Sequence, residues 1–238
     1  MIRSRRRRNE FESAIPRISK GRDLKLVIFD VDGTLIDSQE FILEAQRRAF
    51  ASLGLARPSR ETSLSIVGLS LTEAFTRLAG ATAPVEQLAR AYRDAWTALR
   101  ADPAFSDPLF PGAREAVEGL ARRDDLMLGI ATGKSRRGVM HLFDRFGWHA
   151  YFATVQTADE HPSKPAPDMI LTALAETGID PNLAFMIGDT SYDMEMARSA
   201  GVRAIGVDWG YHPQAQLREA GAERIVTDFA ALLELIES

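Results

Sequence analysis

The sequence contains no cysteine and only four histidines, His141, His149, His161 and His212. Disulfides, thiol nucleophiles and thiolate metal sites are excluded together, and a zinc centre has little to draw on, so any metal must be held by oxygen. Long apolar runs are also missing. No stretch of about 18 uninterrupted hydrophobic residues occurs, which argues against a membrane-spanning helix, and the basic opening lacks the apolar stretch of a secretory signal. A cytoplasmic protein is the expectation. Internal repeats are absent, as are low-complexity tracts beyond the opening segment.

What is present is enough apolar material for a full core: 238 residues, 45% hydrophobic and 26% charged, sufficient for one large or two smaller domains. The net charge of −4 conceals an asymmetry, because residues 1–22 carry seven Arg and one Lys against Glu10 and Glu12. Arg5-Arg6-Arg7-Arg8 has the charge of a nucleic-acid or membrane-surface arm. A short run of like charge more often forms a solvated, disordered tail, so residues 1–22 are read as such and neither nucleic acid nor membrane is expected as a partner.

Past the tail, apolar runs recur with a polar residue at the end of each. Leu24 to Phe29 stops at Asp30, Leu126 to Ala131 at Thr132, Ala184 to Gly188 at Asp189, and Val202 to Val207 at Asp208. These read as buried parallel strands. Between them lie helical patterns, such as Ala113, Ala116, Val117, Leu120 and Ala121, or Val139, Leu142, Phe143 and Phe146. Alternation of strand and helix predicts a doubly wound parallel sheet in an α/β core, with ligands collecting at the carboxyl ends of the strands. A parallel crossover needs about a dozen residues, far fewer than separate Asp30 from Leu126. The excess is predicted to be an inserted all-helical domain, residues 39–102, leaving 23–38 and 103–238 for the core.

Asp30-Val31-Asp32-Gly33-Thr34 follows the first strand, and its two carboxylates, one residue apart, would face the same side of extended backbone. Alone this is an Asp-Gly turn of a common kind. Thr132 before Gly133, Lys164 within Ser163-Lys164-Pro165-Ala166-Pro167-Asp168, and Gly188-Asp189-Thr190-Ser191-Tyr192-Asp193 change the weighting. Each has a plain alternative: Thr132 as a helix cap, Lys164 as a surface charge, Asp189 and Asp193 as caps of the next helix. Together, at or just past strand ends, they predict one crevice with four carboxylates, Asp30, Asp32, Asp189 and Asp193. Such a crevice requires a compensating cation, and Mg²⁺ suits an all-oxygen site.

These four segments, in this order, resemble the motifs of the haloacid-dehalogenase superfamily, and within it the stretches Asp30 to Ser38 and Ser163 to Asp168 look closest to phosphoglycolate-phosphatase-like enzymes. The resemblance implies a Rossmann-like core, a helical cap, Mg²⁺ as cofactor and a small-molecule phosphate ester as substrate, in a monomer or homodimer. It also implies roles. Asp30 attacks phosphorus and forms an aspartyl-phosphate; Asp32 acts as acid and then base, its proton affinity raised by carboxylate neighbours; Thr132, Gly133 and Lys164 hold the phosphoryl group. Asp189 binds Mg²⁺ with Asp30 and the Asp32 carbonyl, while Asp193 supports the ion or its waters.

An Asp at position 32 resembles phosphatases and mutases rather than dehalogenases. Sugar-phosphate mutases remain an alternative, although their basic residue after a cap Gly-x-Ser is Leu71 here and their cap His is Ile42. A non-enzymatic phospho-acceptor signalling domain is the other alternative, but it needs no large helical insertion. Gly129-Ile130-Ala131-Thr132-Gly133-Lys134-Ser135 has one residue too few for a P-loop. Trp96, Trp148 and Trp209 are read as packing residues, and His141 and His212 as lacking ligand partners. Arg47, Arg48, Arg57, Arg60 and Arg77 of the helical segment each offer a bidentate grip on a substrate carboxylate, though most are expected to face solvent.

Overall fold

The computed structural model describes residues 24–102, 104–105 and 107–237; the basic tail of the sequence reading lies outside them. Six strands form one sheet in the order β3-β2-β1-β4-β5-β6, and every neighbouring pair is parallel. The strands are β1 (Lys25–Phe29), β2 (Leu126–Thr132), β3 (Phe152–Thr157), β4 (Ala184–Gly188), β5 (Arg203–Val207) and β6 (Arg224–Val226). Strand order reverses between β1 and β4, so the carboxyl ends of these two strands border the crevice where ligands collect in such sheets.

Strand alternation divides the core. Val27 and Phe29 of β1 point to one face, with α5 (Ala113–Leu120), α6 (Arg136–Phe146) and α10 (Phe229–Glu237) packed over them. Leu26 and Ile28 point to the other, under α7 (Asp168–Thr177), α8 (Ser191–Ala200) and α9 (Gln214–Ala220). All four β1 side chains are fully buried, each contributing about 1.5–3 kcal/mol by its removal from water. A strand buried on both faces reads as an unbroken apolar run, which is why β1, β2, β4 and β5 are legible in the sequence. β3 is not, because its buried face carries Thr154, Gln156 and Thr157. Gln156 Nε2 donates to Thr154 Oγ1 at 2.7 Å and to Glu176 at 2.8 Å, and Thr154 Oγ1 donates to Glu176 at 2.6 Å. That network replaces apolar burial. β6 is too short to show a pattern.

Between β1 and β2 stand α1 (Gln39–Ser52), α2 (Arg60–Leu64), α3 (Leu71–Ala79) and α4 (Val85–Arg100). They share their own apolar contacts: Ala49, Phe50, Phe75, Leu88 and Ala89 in one group, Phe41, Ala45, Ala95 and Leu99 in another. Gly80 ends α3 at φ 88°, a conformation that favours glycine, and Pro84 precedes α4. Ser59 and Ser70 cap α2 and α3 by accepting from the backbone N–H groups of Thr62 and Glu73. Among the described residues, no helix is long and apolar enough to cross a membrane.

Candidate active site

Asp30 follows β1 and Asp189 follows β4, so adjacent strands place both carboxylates at the switch point. Asp193 reaches the same place from the first turn of α8. There it forms a capping box with Thr190: its Oδ2 accepts from the Thr190 backbone N–H at 3.1 Å and hydroxyl at 2.7 Å. Its other oxygen, Oδ1, accepts from Lys164 Nζ at 2.6 Å. One Asp193 side chain thus both caps α8 and joins the carboxylates at the switch point. Lys164 Nζ also lies 3.1 Å from Asp30 Oδ1, and all four groups are at most 1% exposed.

Carboxylate oxygens of Asp30, Asp189 and Asp193 lie within 4.8 Å of one another. Three buried carboxylates face one ammonium, and the remaining negative charge is costly in a low dielectric. Burial pushes the Asp30 carboxyl up to about 6, against the pull of Lys164 and with the Asp193 charge adding to the rise. Asp189 is raised well above the carboxylate range by burial and then by Asp193 and Asp30, although the Tyr211 N–H and the Thr34 hydroxyl oppose the shift. Burial works against the Lys164 charge, but Asp193 and Asp30 outweigh it and its pKa rises. Lys164 Nζ, the Thr132 hydroxyl and the Val31 N–H lower the Asp30 pKa without offsetting burial. A buried nest of oxygen ligands whose negative charge exceeds that of its one ammonium is what a hard divalent cation fits.

Asp189 is oriented from both sides, its Oδ1 accepting from Thr34 Oγ1 and its Oδ2 from the Tyr211 N–H, each at 2.9 Å. Glycines give it room: a Cβ at Gly33, where φ is 90°, or at Gly210 would run into its carboxylate. A Cβ at Gly188 would run into Asp193.

Asp32 stands apart from this cluster, contrary to the expectation of four converging carboxylates. Lys134 Nζ donates to its two oxygens at 2.7 and 2.9 Å, so its charged neighbour is an ammonium. The Lys134 stem lies against Gly138, where a Cβ would collide with it, and Nζ sits 4.7 Å from the centre of the Trp96 ring in α4. Trp96, read from the sequence as packing alone, thus contributes a cation-π contact across the two parts of the chain. No local sequence pattern links Lys134 to Asp32.

The helices between β1 and β2 cover the site. Thr132 ends β2 and is buried, and Gly133 beside it lies so close to the loop before α3 that a Cβ would overlap the Gly68 carbonyl. Ser70 N–H donates to Ser163 Oγ at 2.9 Å, and Tyr192 Oη donates to the Ser65 carbonyl at 2.9 Å. His212 is buried by this contact. Its Nδ1 accepts from the Ser191 N–H at 3.2 Å and its Nε2 donates to the Ser65 carbonyl at 3.2 Å, so it ties the two parts together. Enclosed between them is a cavity of about 290 Å³ that reaches Asp30, Asp32, Thr132, Gly133 and Lys134 on one side and Ile42, Phe75 and Trp96 on the other.

Of the arginines singled out as carboxylate grips, Arg47 and Arg48 pair with Glu44, Arg60 with Glu40 and Arg77 with Glu73. None of the five, Arg57 included, lines the cavity.

The strand order and the acidic switch point define an α/β protein of the Rossmann-like kind with its chemistry at the strand ends. A profile of the haloacid dehalogenase-like hydrolases matches residues 27–207, and the chain belongs to that family. It is 36% identical over 214 residues to "Probable phosphatase IndB" of Dickeya dadantii, covering 87% of this chain and 91% of that one. It is 32% identical over 224 residues to the phosphoglycolate phosphatase of Chromobacterium violaceum, covering 91% and 98%. Among solved structures, a haloacid dehalogenase-like family hydrolase from Streptococcus pneumoniae superposes with a TM-score of 0.76 at 26% identity, covering 89% of this chain and 98% of that one.

Proposed function

We propose that the protein is a Mg²⁺-dependent phosphatase acting on a small phosphate monoester, of the phosphoglycolate kind, through an aspartyl-phosphate on Asp30. The observation that carries this reading is the buried group of Asp30, Asp189, Asp193 and Lys164 at the switch point, open to a cavity on the Asp30 side. The name of the Dickeya dadantii relative supports a phosphatase, and that of the Chromobacterium violaceum relative supports the substrate class.

Asp30, Asp189 and the Asp32 carbonyl would hold Mg²⁺, with Asp193 supporting its shell, and the bound ion would neutralise charge on the carboxylates and the phosphoryl oxygens. The residues carry out the rest. With its pKa near 6, Asp30 is mostly ionised at pH 7 and needs no activating base. One of its oxygens bonds to phosphorus as the bond from phosphorus to the alcohol oxygen breaks, and Asp32 gives a proton to the departing oxygen. Asp32 then takes a proton from the water that attacks phosphorus, which releases Asp30 and inorganic phosphate. Lys164 balances charge on the nucleophile, while the Thr132 hydroxyl and the Gly133 backbone bind the phosphoryl oxygens. Lys134 fixes the orientation of Asp32, and the helices 39–102, acting as a cap domain over the core, exclude water from the cavity.

A panel of phosphate monoesters assayed with Mg²⁺, beside the Asp30→Asn variant, tests this. Turnover of small esters by the wild type and its loss in the variant are expected. Full activity in the variant would remove the nucleophile, and inactivity of the wild type on every ester would remove the class.

A further inference from the structure

The cavity has polar groups that the phosphoryl chemistry does not use. Gln46 of α1 is 3% exposed and lines the cavity. Its Nε2 donates to the Ser63 carbonyl at 3.3 Å, an acceptor that fixes the amide's orientation, and its Oε1 is buried with no partner among the described residues. Arg100, the last residue of α4, also lines the cavity, with its Nε buried and unpartnered. Nearby carboxylates are engaged elsewhere: Asp107 accepts from Arg145 at 2.6 Å and Asp32 from Lys134. Arg137, at the start of α6, lines the cavity from the core side and lies close enough to Arg100 to disfavour its charge.

Arg100 Nε and Gln46 Oε1 are buried atoms left without a partner, while Arg137 on the opposite wall is exposed; neither arginine is in an ion pair among the described residues. A buried polar group without a partner costs about 1–3 kcal/mol, and a ligand that supplies the partner recovers it. We infer that Gln46, Arg100 and Arg137 form the subsite for the leaving group, and that the substrate is the phosphate ester of a small hydroxy or amino acid. Its carboxylate would lie between Arg100 and Arg137, and its hydroxyl or ammonium would donate to Gln46 Oε1. The carboxylate then joins the two walls, so the correct substrate itself holds the helices 39–102 against the core. The cavity volume, at the small end of ligand sites of about 300–1,000 Å³, favours a carboxylate over a second phosphate.

This inference rests on the phosphatase reading, and three related esters separate the two. 3-Phosphoglycerate offers a carboxylate and a hydroxyl, phosphoglycolate a carboxylate alone, and glycerol 3-phosphate hydroxyls alone. The wild type should show kcat/KM about tenfold or more higher on 3-phosphoglycerate than on glycerol 3-phosphate, with phosphoglycolate between them. Arg100→Met should reduce kcat/KM on 3-phosphoglycerate by about 10–100-fold, the range for losing a charged hydrogen-bond partner, and by about tenfold less on glycerol 3-phosphate. Arg100→Lys should recover part of that loss, which a folding defect would not allow. Gln46→Leu should erase the preference for 3-phosphoglycerate over phosphoglycolate, and Arg60→Ala, an exposed residue paired with Glu40, should leave the ranking unchanged. Equal turnover of all three esters, or an equal loss on all of them in Arg100→Met, would overturn the subsite and leave the phosphatase intact. Turnover of none would overturn both.

Discussion

Replacing Asp30 by Asn should make the metal-free protein more stable while abolishing its activity. The carboxyl rises from its ordinary 3.8 to about 6 in the fold, chiefly through burial. Folded protein therefore holds this proton more tightly than unfolded chain does. The stabilisation is complete below about pH 4 and is lost as pH rises through about 6. At pH 7 the ionised side chain thus costs the fold up to about 3 kcal/mol, two pKa units at 1.36 kcal/mol each. Asn has the shape of the protonated acid without the charge, and Lys164 keeps Asp193 at 2.6 Å as its partner. A gain of about 1–3 kcal/mol is expected, which for a chain of this length raises Tm by several degrees. Thermal unfolding in chelator at pH 7 and pH 5 measures it: the variant should exceed wild type at pH 7, and the gap should narrow at pH 5. With Mg²⁺ at about 1,000 times its Kd the order should reverse, since the ion then stabilises wild type by about 4.1 kcal/mol. A variant less stable than wild type at pH 7 in chelator, or a gap independent of pH, would refute the electrostatic account.

Three other perturbations probe separate parts of the site. Lys164→Met leaves three buried carboxylates without their ammonium and should cost about 3–5 kcal/mol, read as a lower midpoint in urea, with divalent cation restoring part of the loss. Gly133→Val sets a branched side chain against the Gly68 carbonyl; kcat/KM should fall at least tenfold while the core's cooperative unfolding persists, and unchanged kinetics would remove the close approach from the account. Lys134→Met keeps the stem over Gly138 but frees the Asp32 carboxylate, so kcat should fall about 10–100-fold with a smaller change in KM, as expected where orientation of a proton carrier is lost.

What the sequence reveals depends on where a residue's partners lie along the chain. Asp30, Thr132 and Asp189 are legible because each follows an apolar run, and a polar residue at the end of a buried strand has no packing reason to be there. The sheet itself is legible for the same reason in four of its six strands. β3 is concealed by buried Thr154, Gln156 and Thr157, and the hydrogen bonds of Thr154 and Gln156 to Glu176 form only in the fold. Asp32 shows the limit for the site. Its identity and position are evident, but its partner, Lys134, is 102 residues away and no local pattern joins them. Arginine content pointed to Arg47, Arg48, Arg57, Arg60 and Arg77; all but Arg57 pair with glutamates on their own or a neighbouring helix, and none of the five lines the cavity. Arg100 and Arg137 line the cavity instead, which shows only once α4 and α6 are placed in the fold.

Covalent capture of phosphorus by Asp30 is the step on which the proposed reaction turns. Rapid quench of a single turnover with phosphate-labelled substrate, followed by borohydride reduction and peptide mapping, tests it most directly. A transient acyl-phosphate that forms only with Mg²⁺, and whose reduction turns residue 30 alone into homoserine, is expected. Turnover at full rate with the modification on another residue, or with none, would contradict it.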